Sequence, residues 1–289
     1  MGVETKIEWC HHTFNTHWGC AVVSPECQRC YAETFSKRLG LKIWGQDADR
    51  RFFGDKHWAE PVKWNTAAVA AGERRRVFCA SMSDVFEDRR DLDAVRARLF
   101  SLIVATPGLD WLLLTKRPEN MIRFAPETWA KAWPSNIWAG TTVGIHSSMQ
   151  RARDLIAVPA AVRFVSAEPL LSAIPDLSQV LGYDDSWDRF VGPCPHGRDP
   201  WTRCIEDECA EPPQVRGVEW VIVGSESGPG ARAMNIAWAE ELRAQCKAAN
   251  VAFFTKQIAN AHDKKGGDPK FWPPGEWPRE FPRTTEPSQ

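Results

Sequence analysis

Cys20, Cys27 and Cys30 are separated by six and by two residues, in the run Gly19-Cys20-Ala21-Val22-Val23-Ser24-Pro25-Glu26-Cys27-Gln28-Arg29-Cys30-Tyr31-Ala32-Glu33. Three thiolates on one short segment can converge on a metal, and soft sulfur ligands select zinc or an iron–sulfur cluster. A closed structural zinc site takes a fourth protein ligand, for which Cys10, His11, His12 and His17 are near in sequence. A [4Fe–4S] cluster on three cysteines instead leaves one iron open to a substrate or cofactor. A second group, Cys194, His196, Cys204 and Cys209, has gaps of one, seven and four residues. It offers four ligands for tetrahedral zinc or for an auxiliary cluster, although the gaps match no common zinc signature and unligated surface cysteines are an equal reading. Cys79 and Cys246 sit in apolar patterns and read as inert packing.

These residues need a scaffold. Short apolar runs at 77–80, 111–114, 137–139, 162–165, 220–223 and 251–254 suit buried parallel strands, and helical periodicity appears at 92–104, 149–156 and 236–249. Such alternation is the mark of repeated βα units. Asn235 is placed to cap the last helix and Asn250 to end it. Each strand run finishes in polar or small residues: Ser81, Ser83 and Asp84; Thr115, Lys116 and Arg117; Thr141 and Thr142; Ser166 and Glu168; Ser225 and Glu226; Lys256 and Gln257. In a parallel barrel those ends meet on one face, where sites are built from successive loops; an open doubly wound sheet also gathers ligands at its carboxyl edge. Taken singly, each set is equally a strand-end turn or a helix cap. Lys116, Arg117 and Lys256 would place cations at such a mouth, suited to a carboxylate or phosphate. The glycines at 224, 228 and 230 allow close backbone approach to an anion or an adenosine, and Glu226 beside them is a candidate hydroxyl or proton-transfer partner.

Among the 289 residues, 36 Lys plus Arg face 37 Asp plus Glu, a net charge of −1 that excludes a strongly basic nucleic-acid coat but not a local basic groove. The 15 tryptophans read mainly as core and loop anchors, with nucleobase stacking as the alternative. No apolar run is long enough to span a membrane, and the first ten residues lack a signal-peptide core. Nine cysteines, an odd number, argue against a complete disulfide framework; a cytoplasmic, reducing setting is expected. The expected organisation is an α/β barrel-like unit over residues 1–260, with a Cys/Pro-rich insertion at about 176–217, and a Pro/Gly-rich tail over 261–289.

The cysteine loop after the first strand, followed by βα units, resembles the radical S-adenosylmethionine (SAM) superfamily, whose usual gaps are three and two. The chain more closely resembles a phage and prophage family with a three-cysteine motif. The matching stretches are Trp18-Gly19-Cys20 through Cys27-Gln28-Arg29-Cys30-Tyr31-Ala32-Glu33, Ser81-Met82-Ser83-Asp84-Val85-Phe86, Leu113-Leu114-Thr115-Lys116-Arg117-Pro118, Phe164-Val165-Ser166-Ala167-Glu168-Pro169-Leu170, and Val223-Gly224-Ser225-Glu226-Ser227-Gly228-Pro229-Gly230-Ala231-Arg232. The resemblance implies a radical-SAM-like partial (β/α) barrel with a [4Fe–4S] cluster on Cys20, Cys27 and Cys30. The open iron would hold SAM, and one electron would cleave it to methionine and a 5′-deoxyadenosyl radical that takes hydrogen from substrate. By strand order it places Ser81, Ser83 and Asp84 near the SAM amino group, and Thr141, Thr142, Ser166 and Glu168 near ribose or carboxylate. A nucleic acid or nucleotide-derived substrate and a flavodoxin- or ferredoxin-type electron donor go with that reading. Two others compete: a zinc-stabilised, non-enzymatic protein that binds nucleic acid or a protein partner, and a phage-encoded nucleic-acid repair enzyme with a different cofactor.

Overall fold

The computed structural model describes residues 5, 7–130, 133–184, 215–227, 230–260 and 262–283. In chain order the strands are β1 (His12–Thr13), β2 (His17–Trp18), β3 (Arg51–Phe52), β4 (Arg75–Cys79), β5 (Leu109–Thr115), β6 (Ile137–Thr142), β7 (Val162–Ala167), β8 (Tyr183–Asp184), β9 (Val215–Arg216), β10 (Trp220–Gly224) and β11 (Ala252–Gln257). The helices are α1 (Tyr31–Arg38), α2 (Asp55–Trp58), α3 (Glu60–Ala71), α4 (Asp93–Ala105), α5 (Glu119–Phe124), α6 (Met149–Ile156) and α7 (Ile236–Ala248).

Seven strands form one parallel sheet in the order β1-β4-β5-β6-β7-β10-β11. Helices α3 to α7 fall in five of the six connections between successive sheet strands, the β7–β10 connection carrying a 3₁₀ turn and the β8–β9 pair among its described residues, and the sheet forms the expected partial barrel. Alternation along the strands sorts the side chains. Val77, Cys79, Leu113, Ala139, Val165, Val221 and Phe253 join Leu99, Ile103, Leu155 and Leu242 of the helices in one buried layer. Phe78, Leu112, Trp138, Phe164, Trp220, Ile222 and Phe254 point the other way and, with Trp9, form a second aromatic core on the opposite, barrel-interior face. Gly140 shares that interior parity; a Cβ there would lie 2.2 Å from the Phe164 ring, so the missing side chain is what lets Phe164 fill the barrel.

Each of the six expected strands is present, and α7 begins at Asn235, whose side chain accepts from Ala237 N at 3.1 Å. Asn250 adopts a left-handed conformation after its end (φ 53°). The edge strand β1 and helices α1 and α3 carried no clear sequence pattern: β1 has two residues, and the Ala-rich α3 lacks a strong apolar stripe. The expected insertion starts on a described 3₁₀ turn (Leu177–Val180) and the antiparallel β8–β9 pair. Cys194, His196, Cys204 and Cys209 lie outside the described residues. In the tail, Arg279 bridges antiparallel to Phe254, Thr255 N donates to Pro278 O at 2.8 Å, and Trp220 Nε1 donates to Glu280 O at 2.9 Å. This part of the tail covers the free edge of β11.

Candidate active site

The cysteine loop runs from β2 to α1 across the carboxyl ends of the sheet. Gly19, where it starts, has φ 112°, and a Cβ there would lie 2.3 Å from Ile43 O, so the turn requires glycine. Gly19 N donates to Met82 O at 3.0 Å, and Tyr31 Oη donates to Ser81 O at 2.6 Å, fixing both ends of the loop to the segment after β4.

Charged groups hold the middle. Glu26, on a 3₁₀ turn (Pro25–Cys27), is buried; its Oε1 accepts from Gly144 N at 3.1 Å and from Arg151 at 3.3 Å. Hydrogen bonds and the Arg151 cation outweigh burial and hold its carboxyl below the usual glutamate range. Arg232, after β10, donates from its backbone N to Glu226 Oε2 at 2.7 Å, and from its guanidinium to Pro25 O at 3.1 Å and Gln28 O at 3.3 Å. Arg29 reaches the same corner, donating to Gly230 O. Arg117 NH2 donates to Ala21 O at 3.2 Å, and its NH1 lies 4.0 Å from Cys20 Sγ. The ends of β4, β5, β6 and β10 thus each grip the loop.

Beneath the loop is a cavity of about 380 Å³, within the range of small-ligand sites. Cys20, Cys27 and Cys30 line it together with Ser81, Ser83, Lys116, Thr142, Ser166, Glu168, Glu226 and Lys256. Strand parity explains the membership. Lys116, Thr142, Ser166, Glu168, Glu226 and Lys256 continue the interior series of Leu114, Gly140, Phe164, Gly224 and Phe254 beyond the aromatic floor. Ser83 Oγ is buried with no hydrogen-bond partner, and the Lys116 ammonium has no ion-pair partner among the described residues. Ser81 Oγ accepts from Asn15 Nδ2 at 3.0 Å, while Lys256 and Glu168 pair across the far wall.

Four of the expected site residues are engaged within the protein. Thr141 has the opposite parity: it is fully buried outside the cavity lining, and its hydroxyl donates to Thr115 O at 2.8 Å. Asp84 reaches the wall, but its oxygens already accept from Thr115 Oγ1 at 2.7 Å, Phe86 N at 3.0 Å, Lys116 N at 3.2 Å and Arg117 NH1 at 2.8 Å. It organises the end of β5 from the cavity wall. Arg117 is buried against Asp84, and the carboxylate pushes its already high pKa further up. Its guanidinium lines the cavity and also holds the cysteine loop through Ala21 O. Glu226, expected to hold a hydroxyl or take part in proton transfer, lines the cavity with its carboxylate paired to Arg232. Sequence reasoning missed Glu26, Gly144 and Arg151 altogether; the only signal was an acid placed between two cysteines, with nothing to name its partners.

The donor set suits a cluster. Burial and the neighbouring Asp84 charge push the Cys20 thiol up to about 12, and ligation would require its proton to leave. Among the described residues, no three His, Cys, Asp or Glu side chains are gathered closely enough to hold a single metal ion. Cys20, Cys27 and Cys30 line one cavity together, and three soft thiols are the donor type that an iron–sulfur cluster takes.

The family model described as "Protein of unknown function (DUF5131)" matches residues 4–272. The chain belongs to this family. No curated protein matches it. Among solved structures, a spore photoproduct lyase mutant aligns with a TM-score of 0.51 at 14% identity, over 89% of this chain and 78% of that one. Spore photoproduct lyase complexed with dinucleoside spore photoproduct aligns at TM-score 0.48 and 12% identity, over 84% and 75% of the two chains. A mutant of that lyase with bound AdoMet and dinucleoside spore photoproduct aligns at TM-score 0.47 and 10% identity, over 87% and 78%. The seven-stranded parallel half-barrel of this DUF5131 chain is therefore similar in fold to spore photoproduct lyase. No helix among its described residues is long and apolar enough to cross a membrane.

Proposed function

We propose that this DUF5131 protein is a radical SAM iron–sulfur enzyme that cleaves S-adenosylmethionine reductively and uses the product to modify or repair a nucleic acid or a nucleotide-derived substrate. The observation that carries this reading is the placement of Cys20, Cys27 and Cys30 on one wall of a cavity whose other walls are strand-end polar groups. Cys20, Cys27 and Cys30 would hold a [4Fe–4S] cluster, which when bound would supply the electron for cleavage of SAM. Ser83, with its unpartnered hydroxyl, and Ser81 meet the amino group; Thr142 and Ser166 meet ribose or carboxylate. Lys116 supplies a positive charge for the methionine carboxylate or a substrate phosphate. Glu168 and Lys256 close the far side as a pair, with Lys256 available to an anion if Glu168 turns away. The aromatic floor excludes water, so that the protein's share of the chemistry is placement and protection. A cytoplasmic setting and a flavodoxin- or ferredoxin-type donor belong to this proposal, as do the barrel-like unit at 1–260 and the tail at 261–289.

Metal analysis tests it. Anaerobic reconstitution with iron and sulfide should give a brown protein with about four irons per chain, and Cys20→Ala, Cys27→Ala or Cys30→Ala should lose that iron while keeping the far-ultraviolet spectrum. Colourless protein with stoichiometric zinc and no iron uptake would favour the zinc-stabilised binding protein.

A further inference from the structure

Helix α1 begins at the cavity mouth and carries an exposed apolar stripe. Tyr31, Phe35 and, just past its end, Leu39 follow at intervals of four and are 57%, 44% and 51% exposed. Tyr31 also lines the cavity, so the stripe leads out of the site. The rings are held rather than loose: Tyr31 Oη is bonded to Ser81 O, and Phe35 stands edge-on to Trp18 at 6.0 Å. The same segment concentrates positive charge in a chain whose net charge is −1. Glu33 and Lys37 neutralise each other, and Arg50 is buried on Glu87. Arg38 and Lys42 are exposed without an ion-pair partner among the described residues, and Arg51 lies over the Trp18 ring at 4.9 Å.

We infer that this stripe binds single-stranded nucleic acid and feeds it to the cavity, with bases stacking on Tyr31 and Phe35 and phosphates meeting Arg38, Lys42 and Arg51. Fixed aromatic rings beside free cations are the elements of a sequence-tolerant single-strand platform. Spacing favours a single strand over a duplex. Residues four apart on a helix are about 6 Å apart along its axis, whereas stacked bases in a duplex repeat every ~3.4 Å along each strand. Two bases resting on these rings are therefore unstacked from one another. An acidic protein would satisfy the cations but gives no reason for two rigid, solvent-facing rings. The inference rests on the proposed function only for what happens at the cavity; binding itself needs neither cluster nor SAM.

Fluorescence anisotropy of dye-labelled 12-nucleotide DNA and RNA strands with the full, metal-free chain tests it directly. Saturable binding is expected, weakened about tenfold by Phe35→Ala, as removal of one stacking platform implies. Arg38→Ala/Lys42→Ala should lower the slope of log affinity against log salt by about 1.4, at ~0.7 for each phosphate no longer neutralised. Val69→Ala, at an exposed position on α3, should change neither. The inference is overturned if no saturable binding occurs, if a duplex of the same sequence binds as tightly, or if both sets of variants bind like the parent protein. Competition by polyglutamate at equal charge concentration would overturn it too, and would assign the stripe to an acidic protein partner.

Discussion

Arg232 wraps Glu226: its backbone N donates to Oε2 at 2.7 Å and its Nε to the same oxygen at 3.0 Å, while the rest of the guanidinium reaches Pro25 O and Gln28 O in the cysteine loop. A carboxylate at the end of β10 thereby fixes the geometry of a loop some 200 residues away in sequence.

Glu226→Gln should destabilise the fold by about 1–3 kcal/mol at neutral pH, since charged hydrogen bonds are removed and Arg232 is left without its counter-charge. The arginine holds the Glu226 carboxyl below the ordinary glutamate range. For a depressed acid, stabilisation is full above the unfolded-state pKa and disappears as pH falls through the folded-state pKa. The difference in melting temperature between parent and variant should therefore be constant near pH 7 and shrink in acid. A difference that grows in acid would contradict the assignment.

Arg117→Gln should make the reduction potential of the reconstituted cluster more negative, with Arg117→Lys shifting it less. A cation donating toward a thiolate ligand stabilises the reduced, more negative cluster, and Arg117 NH1 lies 4.0 Å from Cys20 Sγ, held there by Asp84. Redox titration followed by electron paramagnetic resonance reads this without any turnover. An unchanged potential would leave Arg117 a purely structural role.

Gly140→Ala should cost about 1–3 kcal/mol in denaturant unfolding, the usual penalty for overpacking, because its Cβ would meet the Phe164 ring at 2.2 Å. At Gly267 a Cβ meets nothing within 4 Å, so Gly267→Ala is the control and should be near neutral. Equal stability for both variants would mean that the barrel interior is not packed as described.

Lys116→Ala should weaken SAM binding or substrate binding without altering iron content, because the ammonium lines the cavity without an ion-pair partner among the described residues. Isothermal titration with SAM on the reconstituted protein separates the two ligands. Normal affinity for both would remove Lys116 from the site.

Much of this arrangement is legible in the sequence, for a physical reason. Buried parallel strands are short apolar runs, and the polar residues that end them mark one edge of the sheet. Ser166, Glu168 and Lys256 could be read in that way. Thr141 and Thr142 could not be told apart, because telling them apart requires knowing that β6 continues through both and that Trp138 faces the barrel interior. The pairing of Asp84 with Arg117 and of Glu226 with Arg232 could not be read, because such partners are chosen by tertiary structure and leave no periodic trace. Glu26 was invisible as a buried acid for the same reason: Gly144 and Arg151 reach it from a different βα unit.

Reductive cleavage of SAM at the three cysteines is the reaction on which the functional reading stands. It is measured by anaerobic incubation of the iron-reconstituted protein with reductant and SAM, followed by mass spectrometry of the products. The parent protein should release 5′-deoxyadenosine and methionine, and Cys27→Ala should release neither. No 5′-deoxyadenosine from protein that carries about four irons per chain would contradict the reading.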